Sequence, residues 1–281
     1  MIFGAHCSTA GDVHKALSRA EEIGGECAQI FVKNNMQWFG RMPPPGEIER
    51  FAAERKRLRL TVFGHAGYLI NLGAPPSGNR DKSLRSLIEE IAIAGALGLP
   101  FLVLHPGAHL GAGEEAGLGR VVAGLDEVAR ASKDSPVRVA LENTAGQGSC
   151  LGNRLEHLAA IYDRVQQPER LAVCIDTAHL FAAGYDIRSA KGWDDAIRQL
   201  DALIGRKQIA AFHLNDSKTG LNSRVDRHEH IGRGQIGLEG FRHIVRDARF
   251  KKTPGCLETH KSEDLHEDVE NLAALRSLAG R

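Results

Sequence analysis

Short apolar runs recur along the chain and are separated by longer amphipathic segments. Within each run the apolar residues are nearly continuous, which is the pattern of parallel strands buried on both faces of a sheet. The pattern predicts eight strands, at residues 2–8, 27–34, 61–68, 101–108, 137–144, 171–179, 209–216 and 255–260.

The segments between these runs have the periodicity of amphipathic helices, as in residues 81–97 and 115–131. Eight strand–helix units in 281 residues match the (β/α)8 TIM barrel. We therefore predict an α/β fold in which residues 1–281 form a single TIM-barrel domain. An open doubly wound sheet is the alternative, but no GxGxxG motif follows the first strand.

Composition sets limits on location and on partners. The 281 residues include 36 Lys+Arg and 35 Asp+Glu, and this balance argues against a polybasic coat for nucleic acid. No apolar run has the length of a membrane helix and no leader pattern is present, so we expect a cytoplasmic protein that does not bind membranes. Five widely spaced cysteines without a CxxC pair are expected to be reduced and mostly buried.

Residues of metal-ligating types stand at the C-terminal ends of the predicted strands, where the active sites of TIM barrels lie. The third to eighth strands all end in such a residue, and the long connection over residues 216–237 adds two more. Loops of that length in a compact domain usually carry function. The nine candidates are His65, His105, Glu142, Asp176, His179, His213, Asp226, His228 and Glu258.

Convergence of these residues on one mouth predicts a metal centre. Four of the nine are carboxylates, which would repel one another unless divalent cations lay between them. Imidazole and carboxylate ligands without thiolate suit zinc, iron or manganese, and the many histidines favour zinc. Nine ligands with one bridging carboxylate divide into three sets, and a multi-zinc centre suits the hydrolysis of a phosphodiester.

The remaining histidines receive a simpler interpretation. His14, His157, His243 and His266 lie in predicted helices, where we expect them to be solvated. His6 ends the first predicted strand and is the one among the remainder that we expect to touch the site.

Motifs spread through nearly the whole chain resemble those of endonuclease IV, the apurinic/apyrimidinic (AP) endonuclease family of base-excision repair. They follow the order that the family shows. The motifs are GAHCS (4–8), HAGYLINLG (65–73), VLHPGAH (103–109), ALENTAGQGS (140–149), CIDTAHLFAAGYD (174–186), FHLNDSK (212–218), SRVDRHEHIGRGQIG (223–237) and CLET (256–259).

The resemblance implies a TIM barrel with three Zn²⁺ ions per chain. By that resemblance the first zinc is held by His65, His105 and Glu142, the second by Glu142, Asp176, His213 and Glu258, and the third by His179, Asp226 and His228. A hydroxide bridging the first two metals, positioned by Glu142, attacks the phosphate 5′ of the abasic deoxyribose. The implied products carry a 3′-hydroxyl and a 5′-deoxyribose phosphate, and removal of 3′-blocking groups is also expected.

The resemblance also implies a partner, double-stranded DNA containing abasic sites, and a monomer without an obligate protein partner. Tyr68 and Leu69 correspond to residues that enter the duplex when the abasic nucleotide leaves the stack. Met36 stands where the best-known members have arginine, so this position offers apolar contact without charge. The predicted phosphate contacts are Lys33, Lys218, Arg224, Arg227 and Arg233.

A sugar isomerase or epimerase of the same barrel superfamily is the main alternative function. Such enzymes resemble this chain in placing Glu, Asp, His and Glu at the ends of the last four strands around one or two divalent metals. His65, His105 and the Asp226-Arg227-His228 segment separate the two hypotheses, because they supply the additional ligands of a trinuclear centre. A noncatalytic metal-binding or DNA-scaffolding protein is disfavoured, because the ligand set leaves room for water and substrate.

Overall fold

All eight predicted strands are present in the computed structural model, which describes residues 1–281. Each ends two to four residues before its predicted end, because the last residues turn into the loops of the mouth. The strands are β1 (Ile2–His6), β2 (Cys27–Phe31), β3 (Thr61–His65), β4 (Phe101–Leu104), β5 (Arg138–Glu142), β6 (Leu171–Asp176), β7 (Ile209–His213) and β10 (Pro254–Leu257). A short antiparallel pair, β8 (Asp216–Ser217) and β9 (His228–Glu229), lies in the connection after β7.

The sheet closes on itself. Its strands follow the order β1-β10-β7-β6-β5-β4-β3-β2, and β1 pairs in parallel with both β2 and β10. Every other neighbouring pair in this sheet is also parallel. The predicted (β/α)8 barrel is confirmed, and the open doubly wound alternative is wrong.

Helices follow the barrel strands. They are α1 (Lys15–Glu22), α2 (Pro45–Leu58), α3 (Gly78–Ala96), α4 (Glu114–Ala131), α5 (Leu155–Tyr162), α6 (Thr177–Ala182), α7 (Ala190–Leu203), α8 (Gly237–Val245) and α9 (His266–Ala279). Except for the short α6 beside the mouth, these helices cover the outside of the sheet. Helix α3 begins three residues before its predicted start because the Ser77 hydroxyl accepts a hydrogen bond from the Arg80 backbone N–H, which caps the helix. None of the helices combines the length and the apolar character needed to cross a bilayer.

The core has two parts. A cluster of 63 buried residues fills the space between sheet and helices. A smaller cluster of nine fills the barrel interior, and Phe63 and Phe101 stack there with ring centroids 4.9 Å apart. Because side chains alternate between the two faces of a strand, the residue two positions beyond each interior residue also faces inward. This alternation determines which side chains lie at the C-terminal end of the barrel interior.

Candidate metal centre

A layer of polar side chains lies above the apolar barrel interior, at the C-terminal ends of the strands. Six of them follow interior residues at a spacing of two: Phe63 precedes His65, Val103 precedes His105, Ala140 precedes Glu142, Cys174 precedes Asp176, Ala211 precedes His213, and Cys256 precedes Glu258. Strand β2 adds Gln29, two residues after Cys27, and β1 ends in His6. The alternation that packs the core therefore also directs every one of these polar side chains to one place.

Glu142 lies between two groups of ligand atoms. Its Oε2 is 3.3 Å from Nε2 of His65 and 3.0 Å from Nε2 of His105. Its Oε1 is 2.9 Å from Nδ1 of His213, which is in turn 3.2 Å from Oε2 of Glu258. Glu142 is fully buried. One carboxylate thus offers one oxygen to each of two adjoining candidate metal sites, which is the geometry of a bridging ligand.

A third group lies beside the first two. Nε2 of His179 is 3.2 Å from Oδ1 of Asp226 and 3.4 Å from Nε2 of His228, and the last two atoms are 3.5 Å apart. Tetrahedral ligands about 2.1 Å from a zinc ion lie about 3.4 Å from one another. The three atoms therefore have the mutual spacing of three ligands of one ion. Asp176 adjoins this group as well, with Oδ2 3.6 Å from Nε2 of His228.

Asp176 connects the second and third groups through the backbone. It ends β6, and its Oδ1 accepts a hydrogen bond of 2.7 Å from the backbone N–H of His179, capping helix α6. The predicted position of His179 at the end of the sixth strand is therefore wrong, because the strand ends at Asp176 and His179 lies in the first turn of α6. The cap still brings His179 to the mouth.

Four of the five candidate histidine ligands have one ring nitrogen engaged by an acceptor outside the ligand groups. Such an acceptor fixes the tautomer, since the engaged nitrogen carries the proton and the other nitrogen keeps its lone pair for a metal. The pairs are His65 Nδ1 with the Ala66 carbonyl (2.7 Å), His179 Nδ1 with the Asn143 carbonyl (3.0 Å), His213 Nε2 with Gln29 Oε1 (2.7 Å) and His228 Nδ1 with the Glu258 carbonyl (3.3 Å). The side chain of His105, the fifth, is about one-third exposed.

Two amide side chains that were not predicted from the sequence hold the candidate ligands in place. Gln29 is fully buried, accepts from His213 and donates to Oε1 of Glu258 at 2.5 Å. Asn215 donates to Oδ2 of Asp176 at 2.7 Å and accepts from the backbone N–H of Glu258. The signal for Gln29 was present in the sequence: a lone polar residue in the apolar run CAQIF, in step with the inward-facing Cys27.

The electrostatics of the mouth match a cation site. Burial acts to raise the pKa of Glu142, but His213 and His105 outweigh it and hold that pKa well below its usual value. Burial acts to lower the pKa of His179, but Asp176 and Asp226 outweigh it and raise that pKa well above its usual value. The carboxylates thus attract positive charge into a buried space, either protons on the imidazoles or metal ions that displace them.

The long connection after β7 owes its shape to Asp216. The two carboxylate oxygens of this buried residue accept five backbone N–H bonds of 2.8 to 3.2 Å, from Ser217, Gly232, Gly234, Ile236 and Gly237. A Cβ on Gly234 would lie 2.4 Å from the Ser217 carbonyl oxygen, so only glycine fits there. These five bonds form a cage around the Asp216 carboxylate. They fold the connection back toward the barrel, so that Asp226 and His228 face the mouth.

The predicted DNA-contact residues lie in the loops after β2, β3 and β7, which we call the rim of the mouth. Tyr68 and Met36 are among the most exposed large apolar side chains, at 57% and 64%, whereas Leu69 is half-buried and Arg227 is exposed. Lys33 differs from the prediction: its side chain is only 3% exposed and forms an ion pair of 2.9 Å with buried Glu90. In this structure its ammonium group does not reach the surface, so a phosphate contact by Lys33 has no support.

Two further histidine predictions have clear outcomes. His6 does touch the site, since its Nδ1 lies 2.8 Å from Nε2 of Gln29 and 3.6 Å from Oε1 of Glu258. His157 is not solvated as predicted, because it faces the core side of α5 and its Nδ1 accepts from the backbone N–H of Gly152. Of the five cysteines, four are buried, as expected.

Comparison with known proteins adds to this geometry. The family described as xylose isomerase-like TIM barrel matches residues 17–278. The probable endonuclease 4 of Chloroflexus aurantiacus is 47% identical over 277 residues, which cover 98% of this chain and 97% of that protein. This chain belongs to the endonuclease IV family. The crystal structure of endonuclease IV from Thermus thermophilus superposes with a TM-score of 0.88 at 35% identity, covering 100% of this chain and 99% of the other.

Membership in the endonuclease IV family makes this protein an enzyme, a hydrolase of the nuclease class. The barrel itself is shared more widely. A D-tagatose 3-epimerase-like protein has a TM-score of 0.74 at 18% identity, covering 100% of this chain and 98% of that one. A likeness at that identity concerns the fold alone.

Proposed function

We propose that this member of the endonuclease IV family is a zinc-dependent AP endonuclease. It hydrolyses the phosphodiester bond 5′ to an abasic site in double-stranded DNA and leaves a 3′-hydroxyl and a 5′-deoxyribose phosphate. We further propose that it removes 3′-blocking groups and that it acts as a monomer.

The shared carboxylate of Glu142 is the observation that carries this proposal. It lies between one group of two imidazoles and another that contains an imidazole and a carboxylate. The donor set contains imidazole and carboxylate and no thiolate. Ligand atoms lie within 4.8 Å of one another in three groups, which are His65, His105 and Glu142, then Glu142, Asp176, His213 and Glu258, and then Asp176, His179 and His228. Asp226 adjoins the last group, with Oδ1 3.2 Å from Nε2 of His179 and 3.5 Å from Nε2 of His228. This chemistry and spacing fit zinc. We assign the first ion to His65, His105 and Glu142, the second to Glu142, Asp176, His213 and Glu258, and the third to His179, Asp226 and His228.

Zinc bound at these positions supplies Lewis acidity at a phosphate and lowers the pKa of water. The role of the protein is to hold the ligand atoms in place. Glu142 sets the separation of the first two groups and so the place of the attacking water. Gln29 and the backbone carbonyls hold the histidine rings. Water adds to phosphorus, the bond from phosphorus to O3′ breaks, and O3′ leaves with a proton, so that no amino-acid nucleophile is needed.

Recognition of the abasic site is assigned to the rim. The exposed side chains of Tyr68 and Met36, with Leu69 beside them, can enter a duplex where a base is missing. Arg227 lies between Asp226 and His228 and is exposed, so its guanidinium group can contact a phosphate of the DNA backbone. The apolar side chains of the rim suit the gap left by a missing base, and the cation-binding mouth suits the phosphate beside that gap.

The test is incision of a duplex that contains one tetrahydrofuran abasic site. We expect a single cut on its 5′ side, loss of activity after prolonged chelation and recovery with zinc. Glu142→Gln is expected to abolish incision, because it weakens two metal sites at once. Metal analysis is expected to give three ions per chain, and a 3′-phosphate primer tests removal of blocking groups.

Two results would contradict the proposed activity or the assignment of the ions, and a third would contradict the proposed monomer. One is a single bound ion together with turnover of a ketose and no cut in the abasic duplex, which would favour an epimerase. The other is Glu258→Gln with unchanged incision and full metal content, which would remove the assignment of the second ion. A mass by light scattering that equals two chains at working concentrations would exclude the monomer.

A further inference from the structure

We propose that Lys33 and Glu90 act as a loop clamp, a buried ion pair that holds the loops after β2 and β3 in the arrangement needed to enter damaged DNA. Lys33 is then a positioning residue and not a phosphate contact. The inference rests on the proposed function, since it concerns how the rim meets a duplex.

The ion pair and its hydrogen bonds join helix α3 to the loop after β2 and to the loop after β3. Glu90 lies on helix α3, fully buried, and its Oε1 is 2.9 Å from Nζ of Lys33, which follows β2. Ser86 donates to the same oxygen at 3.2 Å. Two buried charges persist only where they are paired and hydrogen-bonded, and both conditions are met here.

The second oxygen of Glu90 reaches the other loop. Its Oε2 accepts a hydrogen bond of 3.0 Å from the backbone N–H of Gly67, which follows β3. A Cβ on Gly67 would lie 2.9 Å from Nζ of Lys33, so the absence of a side chain lets the two loops meet around the ammonium group. One carboxylate therefore holds both loops against the same helix.

Direct bonds complete the arrangement. Lys33 donates from Nζ to the carbonyl of Gln37 at 2.5 Å, which closes the loop after β2 on itself. The backbone N–H of Tyr68 donates to the carbonyl of Asn35 at 3.2 Å, which joins the two loops. The exposed tips, Met36 and Tyr68, thus stand on one connected body. Ordering these loops before binding removes an entropic cost that the duplex would otherwise have to offset.

The clamp and a phosphate contact predict opposite effects of removing Glu90. If Lys33 served to attract phosphate, loss of Glu90 would free its charge and tighten DNA binding. If the pair serves to position the loops, loss of either partner loosens the same body, and both variants weaken binding. The losses in binding free energy of the two single variants should then not add in the double variant, because both substitutions disable the same unit.

The experiment compares Lys33→Met, Glu90→Gln and the double variant with wild type, each loaded with zinc. Lys191→Met, which breaks an exposed ion pair with Asp195 on α7, is the matched control. The substrates are the tetrahydrofuran duplex and bis(p-nitrophenyl) phosphate, a diester too small to touch the rim. KM and kcat are measured on both, KM is followed against salt, and Tm is recorded.

We expect KM for the duplex to rise about tenfold or more in all three clamp variants, since small misplacements of binding groups are costly. The loss on the duplex should exceed the loss on the small diester, and the salt dependence of KM should stay at the wild-type slope. Lys191→Met should match wild type.

Three results would overturn the clamp. They are tighter duplex binding by Glu90→Gln, a slope of log KM against log salt reduced by about 0.9 in Lys33→Met, and equal losses on both substrates, which would indicate a general structural role. Wild-type values for every variant would overturn it as well. Failure of the proposed function is distinct, because wild-type protein itself would then leave the abasic duplex uncut.

Discussion

Gln29→Met offers the sharpest test of how the barrel orients the proposed metal ligands. The substitution keeps nearly the same volume in a fully buried position, so the packing of the interior is retained. It removes the acceptor that holds Nε2–H of His213 at 2.7 Å and the donor that lies 2.5 Å from Oε1 of Glu258. Both of these residues are assigned to the second ion, whereas the first and third ions have no ligand that Gln29 contacts.

The magnitude follows from the bonds that are lost. A neutral hydrogen bond contributes about 0.5–1.5 kcal/mol and one to a charged group about 1.5–3 kcal/mol. Part of that sum appears as lost folding stability and part as lost metal affinity. Removal of an outer partner of a metal ligand costs about 10- to 100-fold in affinity, which corresponds to about 1.4–2.8 kcal/mol. We therefore expect the second ion to be held about 10- to 100-fold more weakly.

The assay is a competition titration of zinc against a chromophoric chelator, with metal content measured after dialysis. Gln166→Met, at an exposed position, is the control. One ion per chain should be lost at chelator concentrations that leave wild type fully loaded. Retention of all ions at wild-type affinity would show that Gln29 does not orient the ligands assigned to the second ion, and equal weakening of every ion would show that Gln29 supports the barrel and not one site.

Three other predictions concern separate parts of the molecule. Asp216→Ala leaves five backbone N–H groups without their acceptor, so we expect a loss of at least about 3 kcal/mol in the free energy of unfolding, measured in urea, and a weakly held third ion. Burial raises the pKa of the Cys7 thiol to about 12, so Cys7 stays protonated at pH 8 and should resist iodoacetamide until the protein is unfolded, as followed by mass spectrometry. Met36→Arg adds one cation at the rim and should steepen the slope of log affinity for the abasic duplex against log salt by about 0.9.

Each of these predictions can fail in a defined way. Unchanged stability and metal content in Asp216→Ala, with Asp216→Asn as the milder comparison, would mean that water replaces the cage. Rapid labelling of native Cys7 at pH 8 would mean that the segment after β1 opens readily. An unchanged salt slope in Met36→Arg would place the tip of that loop away from the DNA backbone.

The apolar pattern predicted the barrel because parallel strands buried on both faces have a distinctive composition. All eight strands were found from it, and so were the nine polar residues at or beyond their ends. Boundaries were less accurate at the mouth. There the sequence 171–179 reads as one apolar run, but the carboxylate of Asp176 caps a helix and ends the strand.

Burial of individual polar residues could not be predicted in the same way. Lys33 looked like a surface cation because its partner Glu90 lies 57 positions away, on a helix whose apolar stripe gave no sign of a buried carboxylate. His157 looked solvated for a similar reason, since it lies on a helix face that packs inward.

The fold, the candidate ligands and the resemblance to a family could be predicted from the sequence alone, because periodicity, residue type and motif are local properties of a chain. The tertiary structure was needed to see which oxygen of Glu142 meets which group, that Gln29 contacts two of the candidate ligands, and that Lys33 is paired with Glu90 beneath the rim. Those facts depend on distances between residues far apart in the chain. Closure of the barrel fixes such distances, and no local pattern encodes them.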